Sequence, residues 1–334
     1  MKTDPPCPVN SFSLSGLLSA AVCIAAVGSV LGFFGAWCWF FDLFAHFRVQ
    51  YFFGFLVIGA WHLFQRKRAW ALACLALSVL NLAVILPFYL PRAVLDDINA
   101  PFAIKFKKVS AMLMNVNRDY GNPEKVLAAV RTHQPDFVVL EEIDNGWFDF
   151  LAPGLTETYP HHVTELRSDN FGIGLWSKYP IVNHTILYSG DWAIPTIIAD
   201  LDFLPWQPRP GRLTVIATHP VPPVRREMAH ARDAQLAELA QHARNAKHPL
   251  LLIGDLNATP WCAAFRKLQR DSGLVNSAQG RGLYPSWPAF FPAFLRIPID
   301  HVLHTPDIKI IERKTGPRVG SDHLPVTVDF YCSQ

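Results

Sequence analysis

The first third of the sequence contains apolar segments long enough to cross a lipid bilayer, and this limits how the chain can fold. The run from Leu14 to Phe41 extends for about 28 residues without a charged side chain and ends in an aromatic cluster. A second long run covers Ala69 to Leu90, and a shorter one covers Tyr51 to Phe64. Since a helix needs about 20 apolar residues to cross a bilayer, we predict an N-terminal membrane region over residues 1–92.

The short middle run leaves the number of spans open. Residues 51–64 are either a re-entrant segment or part of a longer span that extends back through Arg48, whose side chain would then reach the interface. We favour three spans, at 14–41, 48–64 and 69–90. A cleaved signal peptide is the alternative for the first run, but this run is too long and a charged amino-terminal region is nearly absent.

The basic cluster Arg66-Lys67-Arg68, directly before the last span, predicts the orientation. Lys and Arg next to a span stay on the cytoplasmic side, so the last span leads out of the cytoplasm. We therefore predict a multi-pass protein of the inner (cytoplasmic) membrane, with a linker at 93–107 and a domain at 108–334 on the extracytoplasmic, periplasmic side. Three lysines between positions 105 and 108 lie beyond the last span and weaken this prediction.

The charge and cysteine content beyond residue 92 argue against some classes of function. Of the 30 Lys and Arg and the 27 Asp and Glu residues, six and two precede residue 93, which leaves 24 basic and 25 acidic residues. This balance makes nucleic acid an unlikely partner, since such binders usually carry a basic face, although a local patch can lie within a balanced total. Cys262 and Cys332 show neither CxxC nor zinc-ligand spacing, and we expect them to be free thiols.

Beyond residue 107 the sequence combines many short apolar runs with a few amphipathic segments. Apolar residues at helical spacing predict helices at 123–133, 228–244 and 261–270. Short apolar runs predict strands at 108–117, 135–143, 172–177, 181–187, 194–201, 212–218, 250–253, 299–304, 308–313 and 326–330. We expect the strands at 172–177 and 181–187 to form a hairpin about Lys178-Tyr179-Pro180. The strands at 194–201 and 212–218 should pair across a Pro-rich loop. This pattern predicts an α/β domain of two packed sheets flanked by helices.

Polar side chains stand at six of the predicted strand ends. The stretch GDLNATP follows an apolar strand and presents Asp255 and Asn257 on one side, because successive residues of a strand face opposite ways. An ordinary Asx turn is the alternative explanation for this stretch alone. The other strand ends present Asn115, Glu142, His219, Asp300, and Asp322 with His323.

These residues lie in short motifs whose order resembles that of the endonuclease/exonuclease/phosphatase superfamily. The motifs are MNVN at Asn115, LEEI at Glu142, ATHP at His219, GDLNATP at Asp255 and Asn257, PIDHVL at Asp300, and GSDHLPV at Asp322 and His323. They cover most of residues 108–330. The resemblance implies a four-layered α/β sandwich and a Mg²⁺-dependent hydrolase of phosphate esters or anhydrides, with Mn²⁺ as the alternative ion.

The resemblance also implies a metal site. Glu142 and Asn115 would bind the ion, and Asp322 would assist through water. Carboxylate and amide oxygens suit a hard cation, and the chain has no cluster of Cys and His residues of the kind that binds zinc. Many family members have Gln where this chain has Glu141, so we expect extra negative charge near the metal.

The same resemblance implies the catalytic roles. Asp255 would orient or deprotonate the attacking water, and Asn257 would donate to a phosphate oxygen. His323, held by Asp322, would donate to the developing negative charge. A second pair around the phosphate or leaving group would consist of His219 and Asp300.

The membrane region narrows the resemblance to a membrane-anchored, VanJ-like branch of the superfamily, for which undecaprenyl diphosphate is the proposed substrate. The matching stretches are THPVPP, GDLNATPW and SWPAFFPAFLRIPIDHVL. The last of these places five large apolar side chains before Asp300, and they form either an apolar lip for a lipid tail or the filling of a core. The predicted substrate-binding residues are Trp287 in this stretch, and Arg281 and Arg296, which would pair with a diphosphate.

The sequence therefore predicts a membrane-anchored, metal-dependent phosphoesterase that hydrolyses a lipid phosphate or diphosphate outside the cytoplasm. One alternative is a phosphodiesterase of the phospholipid or sphingomyelin type, which releases a phosphorylated headgroup instead of inorganic phosphate. A DNA endonuclease and a non-catalytic membrane-binding module are further alternatives, and the presence of every expected site residue argues against the last. The oligomeric state stays open.

Overall fold

The computed structural model describes residues 14–91, 108–203 and 211–332. The predicted linker at 93–107 and the Pro-rich loop expected between two paired strands, at 204–210, lie outside these residues. The described chain has an N-terminal group of four α-helices, followed by a domain with two six-stranded sheets and four more α-helices.

The N-terminal helices are α1 (Leu14–Leu31), α2 (Trp39–Ala45), α3 (Arg48–Phe64) and α4 (Arg68–Ile85). The predicted first span, 14–41, is not one helix, because α1 ends at Leu31 and Cys38 is extended, with φ −150°. The chain turns where Gly32 packs against α2: a Cβ added at Gly32 would lie 2.9 Å from the Ala45 backbone nitrogen. The aromatic end of the apolar run therefore forms a separate short helix against the end of α1.

Two helical segments of the described chain, Gly16–Phe34 and Arg68–Phe88, are long and apolar enough to cross a membrane. α2 and α3 pass the same test only as a pair bent by 60°, which makes them a broken span or a re-entrant loop. Arg48 at this bend does not reach out to an interface. Its Nη1 donates to the Ser29 carbonyl at 2.7 Å and to Asn81 Oδ1 at 3.3 Å, so α1 and α4 satisfy the guanidinium in the interior.

The domain that follows contains twelve strands and the helices α5 to α8. The first sheet consists of β1 (Val109–Asn115), β2 (Phe137–Glu141), β3 (His161–Glu165), β4 (Ile173–Ser177), β11 (Ile308–Thr315) and β12 (Val326–Cys332), in the order β11-β12-β1-β2-β4-β3. The second sheet consists of β5 (Ile181–Ser189), β6 (Ile194–Asp202), β7 (Arg212–Thr218), β8 (Leu250–Asp255), β9 (Val275–Asn276) and β10 (Asp300–His304), in the order β5-β6-β7-β8-β10-β9. The helices are α5 (Pro123–His133), α6 (Asn145–Leu155), α7 (Arg226–Arg244) and α8 (Ala263–Ser272).

Three apolar clusters hold the layers of this domain together. The cluster between the sheets includes Leu113 and Val139 from the first sheet and Val215 and Ile253 from the second. Helices α5 and α6 cover the outer face of the first sheet, and α7 and α8 cover the outer face of the second. The central strands are buried on both faces, which is why they read as nearly continuous apolar runs. The predicted arrangement, two packed sheets flanked by helices, is confirmed.

The strand pairing differs from the sequence prediction at one point. β4 and β5, which were expected to form a hairpin about Lys178-Tyr179-Pro180, lie in different sheets, because β4 pairs with β2 and β3 while β5 pairs with β6. The segment between them crosses from one sheet to the other, and its Tyr179 ring is buried 4.4 Å from the ring of Phe203. The predicted pairing of β6 with β7 is confirmed as antiparallel.

β8 lies inside the second sheet and brings two carboxylates to one edge. It runs parallel to β7 and antiparallel to β10, and Asp255 at its end pairs in register with Asp300 at the start of β10. Asp255 follows Gly254, which passes close to the Thr218 carbonyl of β7. The two acidic side chains therefore leave the backbone at neighbouring positions, next to the end of β7.

The position of Gly254 leaves no space for a side chain. A Cβ there would lie 1.8 Å from the Thr218 carbonyl oxygen, and a backbone contact of this kind cannot relax by a change of rotamer. We expect Gly254→Ala to destabilise the domain by about 3 kcal/mol or more, and so to lower the melting temperature of the purified protein by about 6–12 °C. Gly146→Ala is the matched control, because the nearest atom to its Cβ would be Asp144 Oδ1 at 3.4 Å. Equal losses in the two variants would contradict this explanation.

Candidate active site

The polar strand ends predicted from the sequence meet at one cavity of about 870 Å³. The carboxyl ends of β2, β7 and β8 reach it, from both sheets. Seven of the predicted residues line the cavity: Glu142, His219, Asp255, Asn257, Trp287, Asp322 and His323. Asn115 and Asp300 lie behind this lining and form hydrogen bonds to it.

Asp255 lies between two imidazole rings. It is 2% exposed, and its Oδ2 lies 3.6 Å from His219 Nε2 and 3.7 Å from His323 Nε2. Its Oδ1 accepts the backbone N–H of Asn257 at 2.9 Å, so the Asx turn considered for this stretch forms in addition to the site. Asn257 has φ +47°, which Asn tolerates better than most residues, and its side chain lies 3.4 Å from His219 Nε2.

His323 is held by Asp300, not by Asp322 as predicted. Its Nδ1 lies 3.0 Å from Asp300 Oδ2 and 3.2 Å from Asp300 Oδ1, and both side chains are buried. The Asp322 carboxylate has other partners: it accepts hydrogen bonds from Asn117 Nδ2 at 2.7 Å and from Trp287 Nε1 at 2.9 Å. Residues 320–323 form a bend, in which the His323 backbone N–H donates to Ser321 Oγ at 3.0 Å, and the two adjacent side chains leave this bend towards different partners.

The two histidines carry raised pKa values. Burial by itself lowers the pKa of an imidazole, but the charge and hydrogen bond of Asp300 raise the pKa of His323 to about 10. His219 does not pair with Asp300 as predicted, because its neighbour is Asp255. Burial lowers the pKa of His219 as well, and the adjacent Asp255 carboxylate raises this pKa to about 9. Burial raises the pKa of Asp300, but the charge of His323 lowers it, and the resulting pKa lies below the usual value of an aspartate. The neighbouring carboxylates therefore favour the positively charged form of both imidazoles.

A network of amides and carboxylates links Glu142 to Asp322. Asn115 Nδ2 donates to Glu142 Oε1 at 2.9 Å, and Asn115 Oδ1 accepts the backbone N–H of Asn117 at 3.0 Å. The side chain of Asn117, the last residue of the MNVN motif, then donates to Asp322 Oδ1 at 2.7 Å. Carboxylate and amide oxygens in this arrangement fit a hard divalent cation such as Mg²⁺ or Mn²⁺. Glu142 and Asp322 face the cavity and would supply carboxylate ligands, with the second lone pair of Asn115 Oδ1 beside them.

A second group of ligand atoms lies at the same cavity wall and directly behind it. Asp255, Asp300 and His323 each offer one ligand atom, and these three atoms lie within 4.8 Å of one another. A metal bound by His323 would need a neutral imidazole, whereas Asp300 holds this ring protonated by raising its pKa to about 10. Glu142 and Asp322 offer carboxylate oxygens, which a hard cation prefers to an imidazole, so we expect the cation there.

The order of these side chains along the chain matches a known family. The model of the Endonuclease/Exonuclease/phosphatase family aligns with residues 112–323, which extend from β1 through the last of the site residues. The chain belongs to this family. Members of the endonuclease/exonuclease/phosphatase family are typically metal-dependent hydrolases of phosphate esters.

Solved structures, one of them of an endonuclease/exonuclease/phosphatase, share this fold at low sequence identity. A member from Beutenbergia cavernae is 20% identical, with a TM-score of 0.55 over 68% of this chain and 72% of its own. The catalytic domain of human Nocturnin, solved with a bound sulfate anion, is 20% identical, with a TM-score of 0.54 over 67% of this chain and 94% of its own. TDP2 of D. rerio, complexed with a single-strand DNA product, is 16% identical, with a TM-score of 0.55 over 67% of this chain and 99% of its own. No curated protein sequence matches the chain.

The departure from the family motif at Glu141 has a structural explanation. The side chain is fully buried and turns towards β8, where Oε1 accepts the backbone N–H of Asp255 at 3.1 Å. Burial raises the pKa of Glu141 well above its usual range, and the charge of Asp255 raises it further. Burial and the adjacent Asp255 carboxylate therefore disfavour a negative charge on Glu141, whose carboxyl contacts the β8 backbone and not the predicted ligands Glu142 and Asp322.

The two arginines predicted to bind a diphosphate do not line the cavity. Arg281 Nη2 donates to the Ile310 carbonyl at 2.6 Å. Arg296 donates to the carbonyls of Phe291 at 2.6 Å and Ala289 at 3.0 Å. Both guanidinium groups therefore bind backbone oxygens of this chain, and Trp287 is the one predicted substrate residue that faces the cavity.

The apolar stretch after Trp287 does not fill a core. Its four large side chains are 42–58% exposed: Phe290, Phe291, Phe294 and Leu295. The stretch lies against α3, because Gln50 Nε2 donates to the carbonyls of Phe294 at 3.2 Å and Arg296 at 3.1 Å. An exposed aromatic surface therefore lies beside one of the apolar N-terminal helices.

The cavity also has a wall that the sequence analysis did not predict. Leu43, His46 and Phe47, at the bend between α2 and α3, line it from the N-terminal region. Val224 and Met228, before and within α7, line it from the catalytic domain. No local sequence pattern shows which face of an apolar helix will meet another domain, so this contact becomes visible only in the folded chain.

Proposed function

We propose that this protein is a membrane-anchored, metal-dependent phosphoesterase that hydrolyses a lipid phosphate or diphosphate, such as undecaprenyl diphosphate, on the extracytoplasmic side of the inner membrane. One observation carries the proposal: the cavity that holds the family's site residues is also lined by Leu43, His46 and Phe47 from the apolar N-terminal helices. A substrate with a phosphate headgroup and a hydrocarbon tail fits both parts of such a cavity.

Contacts between the N-terminal region and the catalytic domain support this arrangement. Trp261 Nε1 donates to the Val84 carbonyl at 3.0 Å, and Gln279 Nε2 donates to the Pro87 carbonyl at 2.8 Å. Ile85 joins the apolar cluster that α7 and α8 form on the second sheet. The end of α4 thus packs directly on the catalytic domain, which favours a site held close to the bilayer surface.

The charge of the cavity lining favours a compact phosphate group over a nucleic acid. Among the residues that the structure describes, neither Lys nor Arg lines the cavity. Nucleic-acid sites usually carry several basic side chains along the phosphate backbone. The described lining of this cavity has no such basic side chains. One or two phosphate groups would instead meet the protonated His219 and His323 together with the metal.

The orientation of the helices agrees with an extracytoplasmic domain. α3 begins and α4 ends at the catalytic domain, so the loop that joins them, with its basic cluster Arg66-Lys67-Arg68, lies at the opposite end of both helices. Basic residues next to a span remain on the cytoplasmic side. If α3 and α4 cross the bilayer, the catalytic domain therefore lies on the other side.

The chemistry follows from the charges around Asp255. When bound, the metal neutralises the anionic phosphate oxygens and polarises the phosphorus–oxygen bond. The Asp255 carboxylate would orient the attacking water and accept its proton as the new bond to phosphorus forms. His323 and His219 would donate hydrogen bonds to the developing charge and to the leaving group, and the Asp300 carboxylate, 3.0 Å from His323 Nδ1, favours the charged form of that ring.

The test is a product analysis with the purified, detergent-solubilised full chain and Mg²⁺. Lipid diphosphates, phospholipids, sphingomyelin, inositol phosphates and nicked or apurinic DNA are offered separately at equal concentration. We expect release of inorganic phosphate from lipid diphosphates at the highest rate. A phosphorylated headgroup as the main product would favour the phosphodiesterase alternative, and faster cleavage of DNA would contradict the proposal.

Removal of the metal should abolish the activity. We expect no phosphate release in excess EDTA and full recovery when Mg²⁺ or Mn²⁺ is restored. Glu142→Gln should raise the Mg²⁺ concentration for half-maximal activity by about 10- to 100-fold or more, because a ligand carboxylate is lost. Glu124→Gln, an exposed acid on α5, is the matched control and should leave this concentration unchanged. Equal Mg²⁺ requirements in the two variants would place the metal elsewhere.

A further inference from the structure

The cavity has a polar part and an apolar part. The polar part holds the carboxylates and imidazoles of the site. The apolar part includes Leu43 and Phe47 at the bend between α2 and α3, and Val224 and Met228 on the facing segment of the catalytic domain. Phe47 is 44% exposed and Val224 is 66% exposed, so large apolar surfaces remain uncovered at the rim of a phosphate-binding cavity.

The bend that carries Leu43 and Phe47 is fixed at both ends by buried polar contacts. Before it, Asp42 Oδ1 accepts the backbone N–H of Ala263 at 2.7 Å, which attaches α2 to the catalytic domain. After it, Arg48 donates to the Ser29 carbonyl at 2.7 Å, which attaches α3 to α1. The bend is thus held in place beside the cavity before a substrate arrives, and a preformed wall lowers the ordering cost of binding.

We propose that Leu43, Phe47, Val224 and Met228 bind the first carbons of the substrate's hydrocarbon chain, next to its phosphate. This inference rests on the proposed function and adds a determinant of specificity to it. The occupant is the chain of a lipid phosphate, because the wall continues directly into apolar helices on one side and into the phosphate site on the other. The residues touch the chain and not the reacting phosphorus, so they select the substrate without taking part in the bond cleavage.

The experiment compares two substrates that share one diphosphate group and differ only in the hydrocarbon attached to it, methyl diphosphate and farnesyl diphosphate. The measured quantity is the ratio of kcat/KM for the long-chain substrate to kcat/KM for the short-chain substrate. In the unaltered protein we expect a ratio well above one. Phe47→Ala should reduce it by about 10- to 100-fold, which corresponds to the loss of one large apolar contact.

Two further variants make the outcome independent of folding defects. Val224→Ser changes an exposed side chain of the catalytic domain and should lower the ratio by about 3- to 10-fold. Phe53→Ala, an exposed aromatic residue of α3 outside the cavity lining, should leave the ratio unchanged. Unchanged ratios in both Phe47→Ala and Val224→Ser would overturn the inference while phosphate release persists. No hydrolysis of either substrate by the unaltered protein would instead overturn the proposed function.

Discussion

Replacing Asp255 with Asn should lower the rate of phosphate release by about 10²- to 10⁴-fold, the usual contribution of a group that handles the proton of the attacking water. The amide has nearly the same shape, and its oxygen can still accept the Asn257 backbone N–H that Asp255 Oδ1 accepts at 2.9 Å. The negative charge between His219 and His323 is lost, so neither imidazole keeps this anionic neighbour. The rate is measured under single-turnover conditions, so that product release does not hide the chemical step.

The control for this substitution is Asp329→Asn, which removes a carboxylate from a surface ion pair with Lys108, far along β12 from the cavity. Surface pairs of this kind contribute little, and we expect activity within about twofold of the unaltered protein. Unchanged melting temperatures of both variants would show that Asp255→Asn loses activity in the chemical step and not by unfolding. If Asp255→Asn kept more than a tenth of the rate, the assignment of Asp255 to the attacking water would be wrong.

The second large effect is expected at Arg232, which connects the N-terminal helices to the active site. Its side chain is 1% exposed on α7. Nη2 lies 3.4 Å from Asp42 Oδ2 on α2, and Nη1 donates to the Asn257 carbonyl at 3.0 Å. Arg232→Met would leave the buried Asp42 carboxylate without this cation and the Asn257 carbonyl without this donor.

Breaking a buried ion pair by removing one partner costs about 3–5 kcal/mol, which corresponds to a melting temperature lower by about 6–20 °C for a protein of this size. We also expect reduced kcat, because the backbone beside Asn257 loses its support. Arg226→Met, an exposed arginine on the same helix, is the matched control. Thermal unfolding of the purified full chain in detergent measures the first effect, and phosphate release measures the second.

A double substitution separates the ion pair from general damage to the core. Asp42→Asn combined with Arg232→Met removes both charges, so the combined loss should be clearly smaller than the sum of the single losses. Strict additivity would show that Asp42 and Arg232 act independently, and would contradict a coupling between α2 and the Asn257 backbone.

Much of the site was predictable because its residues lie at strand ends in short motifs. Asp255 and Asn257 follow a strand that is apolar along its length, and Glu142 follows another, so the positions of these side chains could be inferred from local pattern alone. The pairing of His323 with Asp300 could not be inferred. It depends on the register between β8 and β10, which places Asp300 beside Asp255 across two strands distant in sequence.

The sequence analysis missed helix α6 and predicted the wrong pairing for β4 and β5, and both errors have a physical reason. α6 contains Gly146, Pro153 and Gly154, which weaken its helical pattern, and Asp144 caps it by accepting the Trp147 backbone N–H at 3.0 Å. β4 and β5 looked like a hairpin because a short segment with Pro180 joins them. That segment crosses from one sheet to the other, with Tyr179 buried and Pro180 exposed, and such a crossing depends on how the two sheets pack in the folded domain.

One rate comparison on one preparation of the full chain tests the proposed activity most directly. Inorganic phosphate release from undecaprenyl diphosphate is measured with Mg²⁺ for the unaltered protein and for Asp255→Asn, beside cleavage of a nicked DNA duplex. We expect Mg²⁺-dependent release by the unaltered protein, a loss of about 10²-fold or more in the variant, and little cleavage of DNA. Rapid cleavage of DNA together with no release from the lipid diphosphate would contradict the central claim.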